Sequence, residues 1–389
     1  MAPVSELAVS RRIIGSSCGR CEAPLKHLRL ASFSLLLAVG CSAQPLTRVE
    51  AYTRARELAE LGRMMFFDPS LSASGTVSCA SCHDPRFAYG PPDAKQTGPR
   101  AVPSLRYLQV LPQFTEHYYD GEGTGDDSTD MGPAGGFAWD GRVDRGRDQA
   151  RLALLAPDEM AIPSAAAAVA YAMRSDYSVL LVRLSRGDAF ATILEAFEAW
   201  EQDAKEFYPY SSRYDAWLAG SGTLSKREQS GLRLFSDPEK GNCAQCHPVA
   251  KGVRGTPPQF TDFRLIALGV PRNKEIGANA DPAWFDLGLC GPLRKDFPDK
   301  KEYCGRFRTP SLRNVALRKT FFHNGAFHTL RDAVQFYVRR DAAVADLPEK
   351  YRVNVWIGRP FPQRRGDRAA LNDEEIDDVV AFLETLTDR

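Results

Sequence analysis

The chain has 389 residues, with 50 Lys and Arg set against 49 Asp and Glu and a formal net charge of +1. That balance gives no electrostatic case for nucleic acid, and no apolar run reaches the roughly 20 residues of a membrane-spanning helix. An apolar content of 43% is ordinary for a globular protein, and the length is enough for two domains of usual size.

Residues 1–43 read as a targeting segment and are set apart from the fold. Arg11, Arg12, Lys26 and Arg29 precede the short apolar run FSLLLAVGC, the pattern of an export signal. Cys41 follows Ala38 and Gly40, a lipoprotein-type box that makes it a candidate lipid anchor. Cleavage after Ala43 and a short buried helix are the competing readings. The expected location is periplasmic, either free or held to the membrane through Cys41.

A first domain is expected over residues 47–219. Helical periodicity runs through TRARELAELGRMMF and stops at Asp68-Pro69, because proline cannot continue a helix. The segment SCASCHDP at 78–85 follows. A Gly- and Asp-rich loop is expected at 120–136. The stretch FAWDGRVDRGRDQARLALLAPDEMA fills 137–161, and helical patterns return in SAAAAVAYAMRS and AFATILEAFEAW.

A second domain is expected over residues 224–389. Ser225 and Glu228 have the spacing of a capping box, and the helix they open again runs into Asp-Pro and then NCAQCHPV at 242–249. Cys290 and Cys304 flank a polar loop. They are either two reduced buried thiols or, in an oxidising compartment, a disulfide worth about 3 kcal/mol. Thr329 and Asp332 can cap a helix that carries Leu330, Val334 and Tyr337 on one face. Asn372 caps the last helix, with Ile376, Val379, Val380 and Leu383 on its inner face.

C-x-x-C-H, present at Cys79, Cys82, His83 and again at Cys243, Cys246, His247, is the attachment signature of c-type haem. The two thiols bond to the vinyl groups on one porphyrin edge, and the histidine then lies under the iron as axial ligand. A redox dithiol or half a zinc site also uses C-x-x-C, but neither requires the repeated histidine. The fold expected is mainly α: two tandem cytochrome c-like haem domains with long loops, carrying two covalently bound haem c groups. No histidine lies between His83 and His117, so the first iron has no nearby spare imidazole, and its sixth position is expected to be open or weakly occupied.

The pattern WDGR…DQA…DEM, the two haem motifs and RTPSLRNVALRKTFFHNGAFHTL at 308–330 together resemble the bacterial di-haem cytochrome c peroxidase family, including its MauG-like branch, over nearly all of 55–387. The resemblance implies that hydrogen peroxide is reduced at the first haem. Glu159 is then the distal catalytic carboxyl, Gln149 a distal-pocket residue and Trp139 the electron relay. Electrons would come from a small redox protein or from oxidisable side chains of a partner protein. The resemblance also implies a sixth ligand to the second iron fourteen residues beyond His323, which is Tyr337 in the MauG-like pattern. It further implies a histidine near the first haem, matched by His323. Competing readings make Glu159 a surface acid and Tyr337 a packed core residue, and make the protein a non-catalytic di-haem carrier or a haem-based sensor. Calcium is doubtful: the places matching the family's site are Ala101, Arg318 and Thr320, so a side-chain oxygen is lost and a cation sits close by.

Overall fold

The computed structural model describes residues 46–95, 98–119, 129–252, 255–340, 347–362 and 368–389. Residues 1–45, with the expected targeting segment and Cys41, and residues 120–128 of the Gly- and Asp-rich loop lie outside them. Helices dominate. The only paired strands among the described residues are Leu265–Ala267 and Arg306–Arg308, antiparallel, with Ile266 opposite Phe307.

Thr47 opens the Arg48–Phe66 helix with a capping box to Glu50. Asp68 then turns the chain: its carboxylate accepts from Ser70 N at 2.8 Å and from Tyr177 Oη at 2.7 Å. This helix packs against Ala189–Trp200, which Asp188 caps. Leu61, Met65, Ile193, Ala196 and Phe197 meet in an apolar core whose buried members all lie before residue 208.

The pattern recurs in the second half. Ser225 and Glu228 form the expected capping box on Lys226–Ser236. That helix packs against Asp373–Glu384, which Asn372 and Glu375 cap. Phe235, Ile376, Val379, Phe382 and Leu383 form a second core with Tyr214 and Phe260. The expected inner face is corrected in one place: Val380 is half-buried and Phe382 takes the central position.

The two helix pairs share one device. Gly62 and Gly231 each stand six residues before the Asp that ends the helix. A Cβ on Gly62 would lie 1.9 Å from Ala196 O, and one on Gly231 1.9 Å from Asp378 O. Each glycine lets its helix lie against the partner's backbone.

The chain end fastens the cores to one another. Asp388 accepts from Tyr107 Oη at 2.8 Å, from Asn314 Nδ2 at 2.7 Å and from Arg106 Nη1 at 3.1 Å. Beside it the buried Arg313 pairs with both oxygens of Asp215 at 2.9 Å and lies over the rings of Tyr107 and Tyr210. Cys290 and Cys304 form a disulfide with Cα atoms 4.9 Å apart.

Gly62→Ala and Gly231→Ala are each expected to cost roughly 1–3 kcal/mol, as overpacking of a close helix contact does. Thermal unfolding of the two variants followed by far-UV circular dichroism checks this, and unchanged midpoints would mean the helices separate freely.

Candidate active site

Each C-x-x-C-H segment folds as one tight turn. In the first, Cys79–Cys82 is a single helical turn and His83 N donates to Cys79 O at 2.8 Å. In the second, His247 N donates to Cys243 O at 2.9 Å. This places both thiols and the imidazole on one side of the turn.

The imidazoles are held alike. His83 Nδ1 lies 2.9 Å from the Tyr89 carbonyl oxygen, and His247 Nδ1 lies 2.7 Å from that of Phe260. A carbonyl only accepts, so each Nδ1 carries the proton and each Nε2 keeps its lone pair. Burial drives both imidazoles below their ordinary range, His83 to about 4. A neutral ring protonated at Nδ1 is what an axial haem ligand requires.

Tyr89 and Phe260 both have positive φ, 56° and 53°. Ring packing holds these left-handed turns. Tyr89 stacks on Phe207 at 4.4 Å and donates its hydroxyl to Glu206 at 2.6 Å, and Phe260 packs edge-on to Tyr214 at 5.3 Å. The sequence reading missed both residues, since nothing in AYG or QFT advertises a left-handed aromatic.

The four thiols are unpaired. Burial pushes Cys79, Cys243 and Cys246 up to about 12 and raises Cys82 as well. A working redox dithiol has a depressed thiol pKa, so these surroundings disfavour that alternative. Among the described residues no three His, Cys, Asp or Glu side chains cluster as a metal site, which disfavours zinc.

The surroundings of the two turns differ. Near the first are carboxyls. Glu159 follows the Gly146–Leu155 helix in a turn closed by its own N–H donating to Ala156 O at 3.1 Å. Glu159 is solvent-exposed as a residue, but protein atoms crowd its carboxyl from one side. Burial, and then the charge of Asp158, raises it above 4.5, while Arg142 opposes. Its charge in turn reaches both Cys79 and Cys82. Gln149 is half-buried on the preceding helix. Glu201, a second carboxyl that sequence reasoning passed over, is pushed up to about 8 by burial and then by Glu198. It lies against Gly146, one turn before Gln149, and its charge also acts on Cys79.

Near the second turn is an apolar cavity. Cys243, Cys246, His247, Leu330, Val334 and Tyr337 all border it. The Leu330–Arg339 helix, capped by Thr329, presents those last three residues from one face. Tyr337 stacks on Phe361 at 5.4 Å and packs against Phe322 and Phe336. Burial, and then the charges of Cys246 and Cys243, raises its phenol above the usual range.

Trp139 borders the same cavity and is 6% exposed. Its indole Nε1 donates to Ala101 O at 2.8 Å. The segment that follows Ala101 leads back to the first turn: Ser104 Oγ donates to Ala88 O at 2.6 Å, and Leu105 N to Tyr89 O at 3.2 Å. His323 stacks on Phe307 at 3.5 Å and borders the cavity. His117 pairs with Asp130 on the surface, and His328 Nε2 lies 3.9 Å from Glu275.

The calcium reading meets a different occupant. Arg318 Nε donates to Thr320 O at 3.1 Å, and the Ala101 carbonyl is taken by Trp139. Ala101 brings no side-chain oxygen, the Thr320 carbonyl already accepts from Arg318, and a guanidinium stands where the ion would sit, so the residues present do not fit it.

A family model described as di-haem cytochrome c peroxidase matches residues 56–223. The chain is also 33% identical over 363 residues to the methylamine utilization protein MauG of Paracoccus denitrificans, covering 85% of this chain and 89% of that protein. The chain belongs to the di-haem cytochrome c peroxidase family. It is 28% identical to cytochrome c551 peroxidase of Nitrosomonas europaea, across 93% of this chain and 90% of that one. The diheme peroxidase BthA from Burkholderia thailandensis has the same fold, with a TM-score of 0.76, 38% identity and 85% and 86% of the two chains covered. A Tyr-to-Met variant of BthA matches with a TM-score of 0.78.

As a family member the protein is a peroxidase-type oxidoreductase with two covalently bound haem c groups. Cys79, Cys82 and His83 would hold one, and Cys243, Cys246 and His247 the other. Replacing Cys243 and Cys246 together with alanine is expected to halve the covalent haem per chain. Pyridine haemochrome absorbance after acid–acetone extraction reads this, and full retention would remove the second turn as an attachment site.

Proposed function

We propose that the protein is an exported di-haem peroxidase of the MauG-like branch that reduces hydrogen peroxide beside the first C-x-x-C-H turn. When bound, the haems supply the iron that engages peroxide there and the capacity to hold electrons at both turns. The net change is one peroxide, two electrons and two protons giving two waters.

Glu159 is the proton-handling group. Its carboxylate takes the proton from one peroxide oxygen and delivers it to the oxygen that leaves as water, a task that suits a carboxyl whose pKa burial has raised. Gln149, on the helix that leads into the Glu159 turn, orients the peroxide. Trp139 relays electrons between the two ends, and the Tyr337 phenol oxygen closes the second site as its ligand. The donor is a small redox protein, a cytochrome or copper protein, or oxidisable side chains of a protein partner.

One observation carries this reading: the two turns are built alike but surrounded differently. A carboxyl of raised pKa stands close enough to act on Cys79 and Cys82, whereas a phenol shares the cavity of Cys243, Cys246 and His247. A phenolate is a hard anionic donor that favours oxidised iron, so peroxide turnover should start from the fully oxidised protein. The targeting pattern of residues 1–43 and the Cys290–Cys304 disulfide support a periplasmic location. Cys41 is the proposed lipid attachment point.

Glu159→Gln is expected to lower kcat/KM for peroxide by about 10²–10⁴ with haem content unchanged. Below neutrality the wild type should lose activity as Glu159 protonates. Because its pKa is raised, that acid limb lies above the ordinary 4.5 and disappears in the variant. Stopped-flow mixing with peroxide across pH checks both, and an unaltered rate in Glu159→Gln ends the assignment.

Tyr337→Met is expected to make turnover depend on prior one-electron reduction, which the wild type does not need. Turnover assays of both proteins, started oxidised or half-reduced, read the difference. A wild type that also requires reduction refutes the phenolate role.

A further inference from the structure

Arg318 is an unusual buried cation. Its guanidinium borders the cavity, and burial alone pushes it down to about 10, so it stays charged at neutral pH. No carboxylate pairs with it among the described residues, and its hydrogen bonds go to the backbone. Nε donates to Thr320 O at 3.1 Å and Nη2 to Val102 O at 3.0 Å, while a Cβ on Gly90 would lie 3.8 Å from Nη1.

Those contacts join three segments that matter. Gly90 follows Tyr89, whose carbonyl holds His83. Val102 follows Ala101, whose carbonyl anchors the Trp139 indole and whose N–H donates to His323 O at 2.7 Å. Thr320 begins the stretch that leads to His323. A cationic side chain that donates to a carbonyl of its own segment and to one of a distant segment gathers backbone oxygens as a bound metal ion would, but it is covalently tethered and cannot exchange.

We infer that Arg318 is a built-in replacement for a divalent cation: its guanidinium ties the 101–102 and 320–323 segments and so positions Trp139 between the two haem-binding turns. The positioning half rests on the relay reading of Trp139, whereas the metal half is tested without any turnover. Arginine suits the task because its fork addresses two acceptors at once and it keeps its charge when buried. Leaving the two carbonyls without donors would instead free the loop that anchors the indole.

The test uses the holoprotein. Wild type dialysed against EGTA is expected to keep its visible spectrum and its peroxide turnover, to hold much less than one calcium per chain by elemental analysis, and to show no heat on titration with calcium chloride. Arg318→Gln is expected to retain both covalent haems while the peroxide-driven absorbance change at the second centre slows by about tenfold or more, the scale on which misplacing a positioned group acts. Arg318→Lys, which keeps the charge, should recover part of that rate. One tightly held calcium per wild-type chain, with a spectral change on its removal, would overturn the inference. So would an Arg318→Gln holoprotein whose second centre responds as the wild type does. If Arg318→Gln does not fold, the calcium measurements on wild type still decide. A wild type inert to peroxide would refute the proposed function alone.

Discussion

The site rests on one hydrogen bond made twice, from a histidine Nδ1 to the carbonyl of an aromatic residue in a left-handed turn. That bond decides which nitrogen keeps its lone pair and fixes the plane of the ring. Left-handed backbone costs a non-glycine residue about 1–2 kcal/mol, so the turn persists only where packing holds it. Tyr89 is held by Phe207 and Glu206 and Phe260 by Tyr214, each from the apolar core of its own half. The core thus supports the aim of the imidazole, and a loss of packing well away from the motif would reach it through the carbonyl.

On that shared frame the halves diverge. Both use a capped helix, a glycine pressed against a partner helix, an Asp-Pro stop and a haem-binding turn. The chemistry comes from outside the repeat. Glu159 and Glu201, just beyond the helices Gly146–Leu155 and Ala189–Trp200, give the first turn acidic neighbours of raised pKa. The second turn receives a helix whose inner face is leucine, valine and tyrosine. The shared frame accounts for two turns built alike, and the elements around it make their surroundings differ.

Much of this frame could be read from the residues. Capping pairs Ser225–Glu228 and Thr329–Asp332 obey local rules, and C-x-x-C-H states its own geometry, so these elements appeared where the pattern put them. Val380 and Phe382 lie two positions, roughly 200°, apart and so flank opposite edges of the apolar stripe; the edge that meets Phe235 is the one Phe382 occupies, which the helix period alone does not reveal. Tyr89, Phe260 and Glu201 were invisible for another reason. Their roles depend on contacts made across long stretches of chain, and neither a left-handed turn at an aromatic nor a raised carboxyl pKa has a local signature. Arg318 was noticed only as a misfit, since a single sequence does not reveal which carbonyls a guanidinium will reach.

The charges around Trp139 complete the picture. Its indole N–H donates to a backbone carbonyl, which can accept a hydrogen bond but cannot take a proton. Arg308 Nε donates to the Ala138 carbonyl just before it, and burial pushes that guanidinium down to about 10. Asp140, just after it, has no exposed surface and pairs with Arg100, which also holds Asp286. The indole is therefore enclosed by fixed charges that cancel in part and by a partner that cannot deprotonate it. In the proposed relay an electron would cross this residue while its proton stayed in place, so proton handling is left to Glu159 at the first turn. That proposed division of labour follows from where the chain puts its titratable groups: carboxyls with raised pKa values stand beside the first turn, and backbone oxygens and ion-paired charges surround Trp139.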